Sequence, residues 1–389
     1  MKMAVASVWD PWSPTSWSGC SLHLLRSLVD DYGATPIALG PTAIPTSLKT
    51  RILAHLSNQR GQIYVSELTE PTLRYFAART AEKLNQIECD CVLAFGAHTT
   101  AFLETDLPIY QFWDCTFEGN LEYPWFAKLA SPCIRTGHLM ERKSLQTAAM
   151  SFYSSEWAID SAVQTYGADP SRIKLVPLAA NIDCNRSTED VERLIAKRSN
   201  TVIELLFLGV DWVRKGGDLA LAVAHELNSR GMPTILHVVG CAPNLRGEMP
   251  DFVRPHGFLD KDTPAELAKL QSLIGMSHFL LVPSLAEAFG AVYAEASSFG
   301  TPSLARRLGG VDSVITEGVN GYLFDRQAPP AAYCETIERL WNNPEKYRAL
   351  ARSSFRHFTE QLTWKYSAGK LLGYINDDLN SRADRRQIS

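Results

Sequence analysis

Short runs of aliphatic and β-branched residues alternate with longer stretches whose apolar positions recur every three or four residues, and this alternation passes along the chain twice. The first pass predicts strands at 4–8, 36–39, 62–65, 91–95, 108–112, 148–153 and 174–177. Its helices are predicted at 21–31, 73–86, 139–147 and 156–165. The second predicts strands at 204–208, 234–239, 253–256, 278–282 and 302–305, with helices at 217–230, 264–273, 290–299 and 331–341. Strands separated by helices are the signature of a parallel sheet, so the expected class is α/β with two Rossmann-like domains in series. Such domains bind ligands outside the carboxyl ends of their strands, which predicts a ligand cleft between the two. The polar stretch 183–200 is weak in apolar pattern and marks the expected boundary.

Length agrees with the pattern: 389 residues exceed one ordinary core and suit two domains of about 180 residues each. Composition narrows the choice by exclusion. The net charge of −4 gives no basis for general nucleic-acid binding. No apolar run approaches the ~18 residues of a membrane span, and the N-terminus has no signal-like apolar segment, which predicts a cytoplasmic protein. The basic residues within 135–143 are candidates for contact with an anionic or membrane-borne acceptor, against the plainer reading of a solvated helix face. Of eight cysteines only Cys89 and Cys91 are close, without a second pair or a histidine doublet, so free thiols are expected and no zinc site.

The strongest local signal is Pro283-Ser-Leu-Ala-Glu287-Ala-Phe289-Gly290-Ala-Val-Tyr-Ala-Glu295, where a buried strand ends, a loop follows and a helix begins. A carboxylate is a good acceptor for the paired hydroxyls of a sugar, and helix-start amides near Phe289 and Gly290 suit phosphate oxygens or hydroxyls. Taken alone, Glu295 reads first as a solvent-facing residue. Upstream, Gly209-Val-Asp-Trp-Val-Arg214-Lys215-Gly216-Gly217 follows another strand and offers two cations and a double glycine at a helix start, suited to a diphosphate. A G-x-G-x-x-G fingerprint is absent after both opening strands, and Lys215 is followed by Gly216 instead of Ser or Thr, which argues against dinucleotide and P-loop chemistry.

Together these segments resemble the retaining glycosyltransferases of family 4, which have the GT-B fold. Glu287 and Glu295 match the family's E-x7-E motif, Arg214-Lys215-Gly216 its basic segment, and Gly309-Gly310 through Asn320-Gly321-Tyr-Leu-Phe its later glycine segment. Gly240 and Gly257-Phe258 also fall in the family's order. The resemblance implies that Glu295 holds the ribose of a UDP- or GDP-linked hexose, and that Glu287 and the amides of Phe289 and Gly290 hold the sugar. It implies further that Arg214 and Lys215 grip the diphosphate, that Gly19 in Trp17-Ser18-Gly19 approaches the phosphates, and that the base rests near Gly257 and Phe258. His138, read as lying just before a helix, is the candidate histidine of the first domain, with a structural role equally open. Asp114 is a candidate substrate contact or an N-cap.

Transfer is implied by front-face substitution with retention, with protein cations in place of a metal and no cofactor; the acceptor is unidentified. A nucleotide-sugar binding or epimerising protein without transfer is the alternative. The expected domains are 1–183, completed by a C-terminal helix at 365–389 whose end is frayed, and 184–364. The segment Pro177-Leu-Ala-Ala-Asn181-Ile-Asp183 lacks the glycine of the family's Pro-Asn-Gly-Val-Asp turn.

Overall fold

The computed structural model describes residues 1–45, 48–245 and 247–388. The chain divides into two compact units: Met1–Leu178 with the chain from Trp364 onward, and Ala179–Thr363. Each unit holds one six-stranded, wholly parallel sheet.

In the first unit the order is β1 (Lys2–Ala6), α1 (Cys20–Asp30), β2 (Thr35–Ala38), α2 (Leu48–Gln59), α3 (Glu70–Leu84), β3 (Cys91–Phe95), β4 (Ile109–Trp113), α4 (Phe117–Asn120), α5 (Ser131–Thr147), β5 (Met150–Tyr153), α6 (Glu156–Tyr166) and β6 (Ile173–Leu175). The second unit continues with α7 (Thr188–Lys197), β7 (Ile203–Leu208), α8 (Gly217–Ser229), β8 (Thr234–Val239), β9 (Val253–Gly257), α9 (Pro264–Met276), β10 (Phe279–Leu281), α10 (Ala291–Ser297), β11 (Ser303–Arg306), β12 (Gly321–Phe324), α11 (Pro330–Trp341) and α12 (Pro344–Gln361). Finally α13 (Trp364–Ile388) returns to the first unit.

The sheets run β2-β1-β3-β4-β5-β6 and β12-β11-β10-β7-β8-β9. In each, the chain leaves a central strand in both directions, so a crevice opens at the carboxyl ends of β1 and β3 and of β7 and β10. The central strands are buried on both faces, which is why they read as unbroken apolar runs such as Cys91–Phe95. In the second unit Ile203, Leu205 and Phe207 alternate into a core with Leu236, Val238, Val223 and Ile337.

Several expectations are corrected. The strand expected at 62–65 is a single bridge, Ile63 to Leu129: only three apolar residues stand between polar neighbours, too few to extend a ladder. The polar stretch 183–200 is not featureless, since α7 lies inside it. Ser187 and Asp190 form a reciprocal capping box, and Val191 and Ile195, four apart, are buried. The division between the units falls at Leu178/Ala179. The C-terminal helix, expected at 365–389, runs from Trp364 to Ile388, with Arg382 paired to Asp378 at 2.7 Å; Ser389 lies outside the described residues.

Candidate functional site

Lys215 and Glu287 are far apart in sequence but adjacent in space because β7 and β10 are neighbours in the sheet. The loop after β7 carries Asp211–Gly216 and the loop after β10 carries Val282–Gly290, and both leave the same end of the sheet. The Lys215 ammonium donates to Glu287 Oε2. Arg214 Nη1 lies 3.9 Å from the same oxygen and donates to the Ala286 carbonyl at 3.1 Å, and Ser284 Oγ donates to Glu287 Oε2 at 3.3 Å. The loops are also joined through the backbone, Leu285 N–H to the Arg214 carbonyl at 2.6 Å. Two cations and one carboxylate therefore converge, nearly buried, at the topological switch point.

Backbone geometry makes this approach possible. Gly216 has φ +78°, and a Cβ there would sit 2.1 Å from the Pro283 carbonyl oxygen. Gly309 has φ +52°, and its Cβ would sit 1.9 Å from the Glu287 carbonyl oxygen, which also accepts from Gly310 N–H at 3.2 Å. The first glycine pair of the 309–321 segment thus braces the Glu287 loop. Asn320 at its far end is internal: its side chain donates to Val314 O at 2.9 Å and Ser297 Oγ at 3.2 Å, and accepts from Thr316 N–H at 2.7 Å. Tyr293 donates to the Val282 carbonyl at 2.8 Å; burial, and then the Glu287 charge, push its pKa well up and keep it a donor.

Glu295 does not face solvent. It is 1% exposed within α10; Oε1 accepts from Lys261 Nζ at 2.5 Å, and Oε2 is buried with no hydrogen-bond partner. A buried carboxylate oxygen left unpaired is costly, and such atoms in native proteins mark a ligand or a water. Phe289 is buried, and Gly290, φ +90°, caps a helix of only seven residues. Gly257 has φ +71° and ties β9 to β8 by accepting from Gly240 N–H at 2.8 Å; Phe258 beyond it is 67% exposed, an aromatic face open to a planar ligand. Lys261 was not identified from sequence, where only its nearness to Gly257-Phe258 could have drawn attention.

In the first unit Trp17, Ser18 and Gly19 are consecutive left-handed residues at φ 46°, 55° and 85°, leading into α1. Such a run is strained for non-glycine residues. Trp17 stacks on Trp113 at 4.4 Å and meets Phe112 edge-on, which holds the turn over the ends of β3 and β4. His98, beyond β3, has its Nδ1 buried and unpartnered, and burial depresses its pKa to about 4.

His138 is inside α5, not ahead of it, because Pro132 at the first turn starts the helix early. Its Nδ1 pairs with Tyr166 OH at 2.9 Å, its Nε2 lies 3.8 Å from Glu118, and its ring packs edge-on to Phe117. Beside it, burial raises Glu141 to about 7 despite the Tyr153 hydroxyl at 2.7 Å. His138 is thus engaged by its own unit. Asp114 is not an N-cap: Thr116 caps α4 by accepting from Gly119 N–H.

All eight cysteines are free thiols, and no helix among the described residues is long and apolar enough to cross a membrane. Among the described residues no group of three or more His, Cys, Asp or Glu side chains could hold a metal ion.

The family described as glycosyl transferases group 1 matches residues 190–357. Among curated relatives, the D-inositol 3-phosphate glycosyltransferase of Gordonia bronchialis is 26% identical over 268 residues, 66% of this chain and 58% of that protein. That of Segniliparus rotundus is 31% identical over 225 residues, 54% of this chain and 48% of its own length. The chain thus spans only about half to three fifths of the length of these relatives. The structure of sucrose-phosphate synthase from Thermosynechococcus elongatus superposes with a TM-score of 0.68 at 15% identity, over 98% of this chain and 100% of that one. Anabaena HepE in complex with UDP-glucose gives 0.62 at 15% identity, over 97% and 100%. These structures share the GT-B fold. Residues 190–357, most of the second unit, match the group 1 glycosyl transferases, in keeping with the family 4 resemblance of the motifs there.

Proposed function

We propose that this protein is a retaining glycosyltransferase that moves a hexose from a UDP- or GDP-linked donor to an acceptor hydroxyl, without a metal. The observation that carries this reading is the convergence of Arg214, Lys215 and Glu287 where β7 and β10 end. In the proposed complex the donor diphosphate lies against Arg214 and Lys215, and sugar hydroxyls take over the Glu287 carboxylate. Glu295 receives the ribose, and Phe258 borders the base. Gly19 and the amides of Phe289 and Gly290 are proposed as further donor contacts.

The anomeric carbon–oxygen bond breaks toward the phosphate while the acceptor oxygen bonds to the same face of that carbon. The acceptor's proton passes to the departing phosphate oxygen. Arg214 and Lys215 neutralise the charge that develops on this leaving group, the role a divalent cation would otherwise fill. The cations at the ends of β7 and β10 support a diphosphate-linked donor, and eight free thiols fit a cytoplasmic setting.

The test is release of nucleoside diphosphate from a panel of UDP- and GDP-hexoses, with the anomeric configuration of the product read by NMR. Lys215→Ala should lower turnover roughly 100-fold, the usual effect of removing one charge-stabilising donor. Near-normal turnover in that variant, or inversion at the anomeric carbon, would refute the reading.

A further inference from the structure

Glu295 presents a puzzle: it is 1% exposed, yet one of its two oxygens has no partner and the other is met by a lysine that is itself open to solvent. Lys261 stands in the turn between β9 and α9, with a side chain 39% exposed, and reaches Glu295 Oε1 at 2.5 Å. Were this only a structural ion pair, the buried carboxylate would be expected to have both oxygens satisfied. Instead the pair offers a bare acceptor and a partly free donor side by side.

That combination has a definite chemistry. Each hydroxyl of a vicinal diol is both donor and acceptor, whereas a carboxylate only accepts and an ammonium only donates. Oε2 can accept a hydrogen bond from one hydroxyl. The Lys261 ammonium has three N–H groups; with one on Oε1, two remain for hydroxyl oxygens. We propose that Lys261 is a nucleotide-binding residue that, with Glu295, reads the ribose diol of the donor as a paired donor and acceptor. This rests on the donor reading of Glu295 above and adds a residue to it. The lysine holds Oε1, leaves Oε2 as the acceptor, and supplies the donors that the carboxylate lacks.

The alternative, a lysine that merely neutralises a buried charge, makes a different forecast. Removing it would weaken every nucleotide alike. Titration calorimetry of the full chain with UDP and GDP, and with their 2′-deoxy and 3′-deoxy counterparts, separates the two. For the unaltered protein the ribonucleotide should bind about tenfold more tightly than at least one deoxy counterpart, as one charge-assisted hydrogen bond predicts. Lys261→Met should weaken the ribonucleotide by about tenfold and shrink that preference, while Lys261→Arg should keep most of it. A thermal melt of each variant checks that it is folded. Equal loss for ribo- and deoxynucleotides in Lys261→Met, or no loss, overturns the proposal and leaves the donor site standing. If the unaltered protein binds neither nucleoside diphosphate, the donor reading falls and this proposal falls with it.

Discussion

Gly309 and Gly318 belong to the same segment and both have positive φ, at 52° and 75°, yet they ask different things of a side chain. A Cβ on Gly318 would meet nothing within 4 Å, so Gly318→Ala carries only the left-handed penalty of roughly 1–2 kcal/mol and should leave turnover unchanged. A Cβ on Gly309 would lie 1.9 Å from the Glu287 carbonyl oxygen, so Gly309→Ala must displace the loop that carries Glu287. We expect it to lower both melting temperature and donor turnover, the latter at least tenfold, as misplacement of a reacting group does. Measuring the two variants side by side separates backbone strain from site geometry; equal turnover in both would contradict the bracing role. This distinction was not legible in the sequence, where each is simply a glycine in a turn. The glutamates themselves were legible. That Lys215 and Arg214 share Glu287, and that Lys261 meets Glu295, was not, because those contacts cross between separate strand ends.

Elements add two expectations. The capping box at the start of α7 satisfies helix-end donors with Ser187 and Asp190, so Ser187→Ala should cost about 1 kcal/mol and lower the melting temperature of the second unit by a few degrees. At the entrance to β10, His278 accepts from Glu204 N–H at 3.0 Å through Nδ1 and donates to the Ser199 carbonyl at 2.9 Å through Nε2. Those bonds need the neutral ring, and burial, then the Arg198 charge, depress its pKa from 6.5 to about 4. Between those values the unfolded chain binds the proton and the folded one does not. The stability due to the neutral ring is therefore complete above about pH 6.5 and is lost as pH falls toward 4, by up to roughly 3 kcal/mol. Melting curves from pH 7 to 4.5 should show a shallower acid slope for His278→Gln than for the unaltered chain, and equal slopes would contradict the assignment. Glu141, raised to about 7, works in the opposite sense in the first unit, so the comparison between variant and parent is what isolates His278.

For the whole molecule the unusual feature is that the first unit is completed by the last helix. Against α1 and the sheet, α13 buries Ala368, Leu371, Leu372 and Ile375. Tyr110 OH donates to Asp378 at 2.8 Å, and Tyr32 OH to the Lys365 carbonyl at 2.8 Å. Three large aliphatic side chains at about 1.5–3 kcal/mol each approach the entire stability of a domain. Ending the chain at Thr363 should therefore leave the first unit unfolded or aggregated while the second retains a cooperative melt. Circular dichroism with limited proteolysis would check this, and a first unit that stays protease-resistant would contradict it. A milder form is Gly369→Val: a Cβ there would lie 2.2 Å from Tyr32 OH, so the Tyr32 side chain must swing away and give up its bond to the Lys365 carbonyl.

What the sequence determined by itself was the alternation of strands and helices, the two Rossmann-like units and the order of motifs along the second. Those features rest on local physics: backbone hydrogen bonding and burial repeat at periods of 2 and 3.6 residues, so they are written into neighbouring positions. Even there two local signals were outweighed by the polar run around them: the capping box and the Val191, Leu194 and Ile195 stripe of α7, and Pro132, which starts α5 ahead of His138. The site was decided by the tertiary structure. Placing β10 beside β7 brings Glu287 to Lys215 and Arg214, and the turn after β9 brings Lys261 to Glu295. Strand order across a sheet depends on how the crossover helices pack, and no periodicity within either segment encodes it.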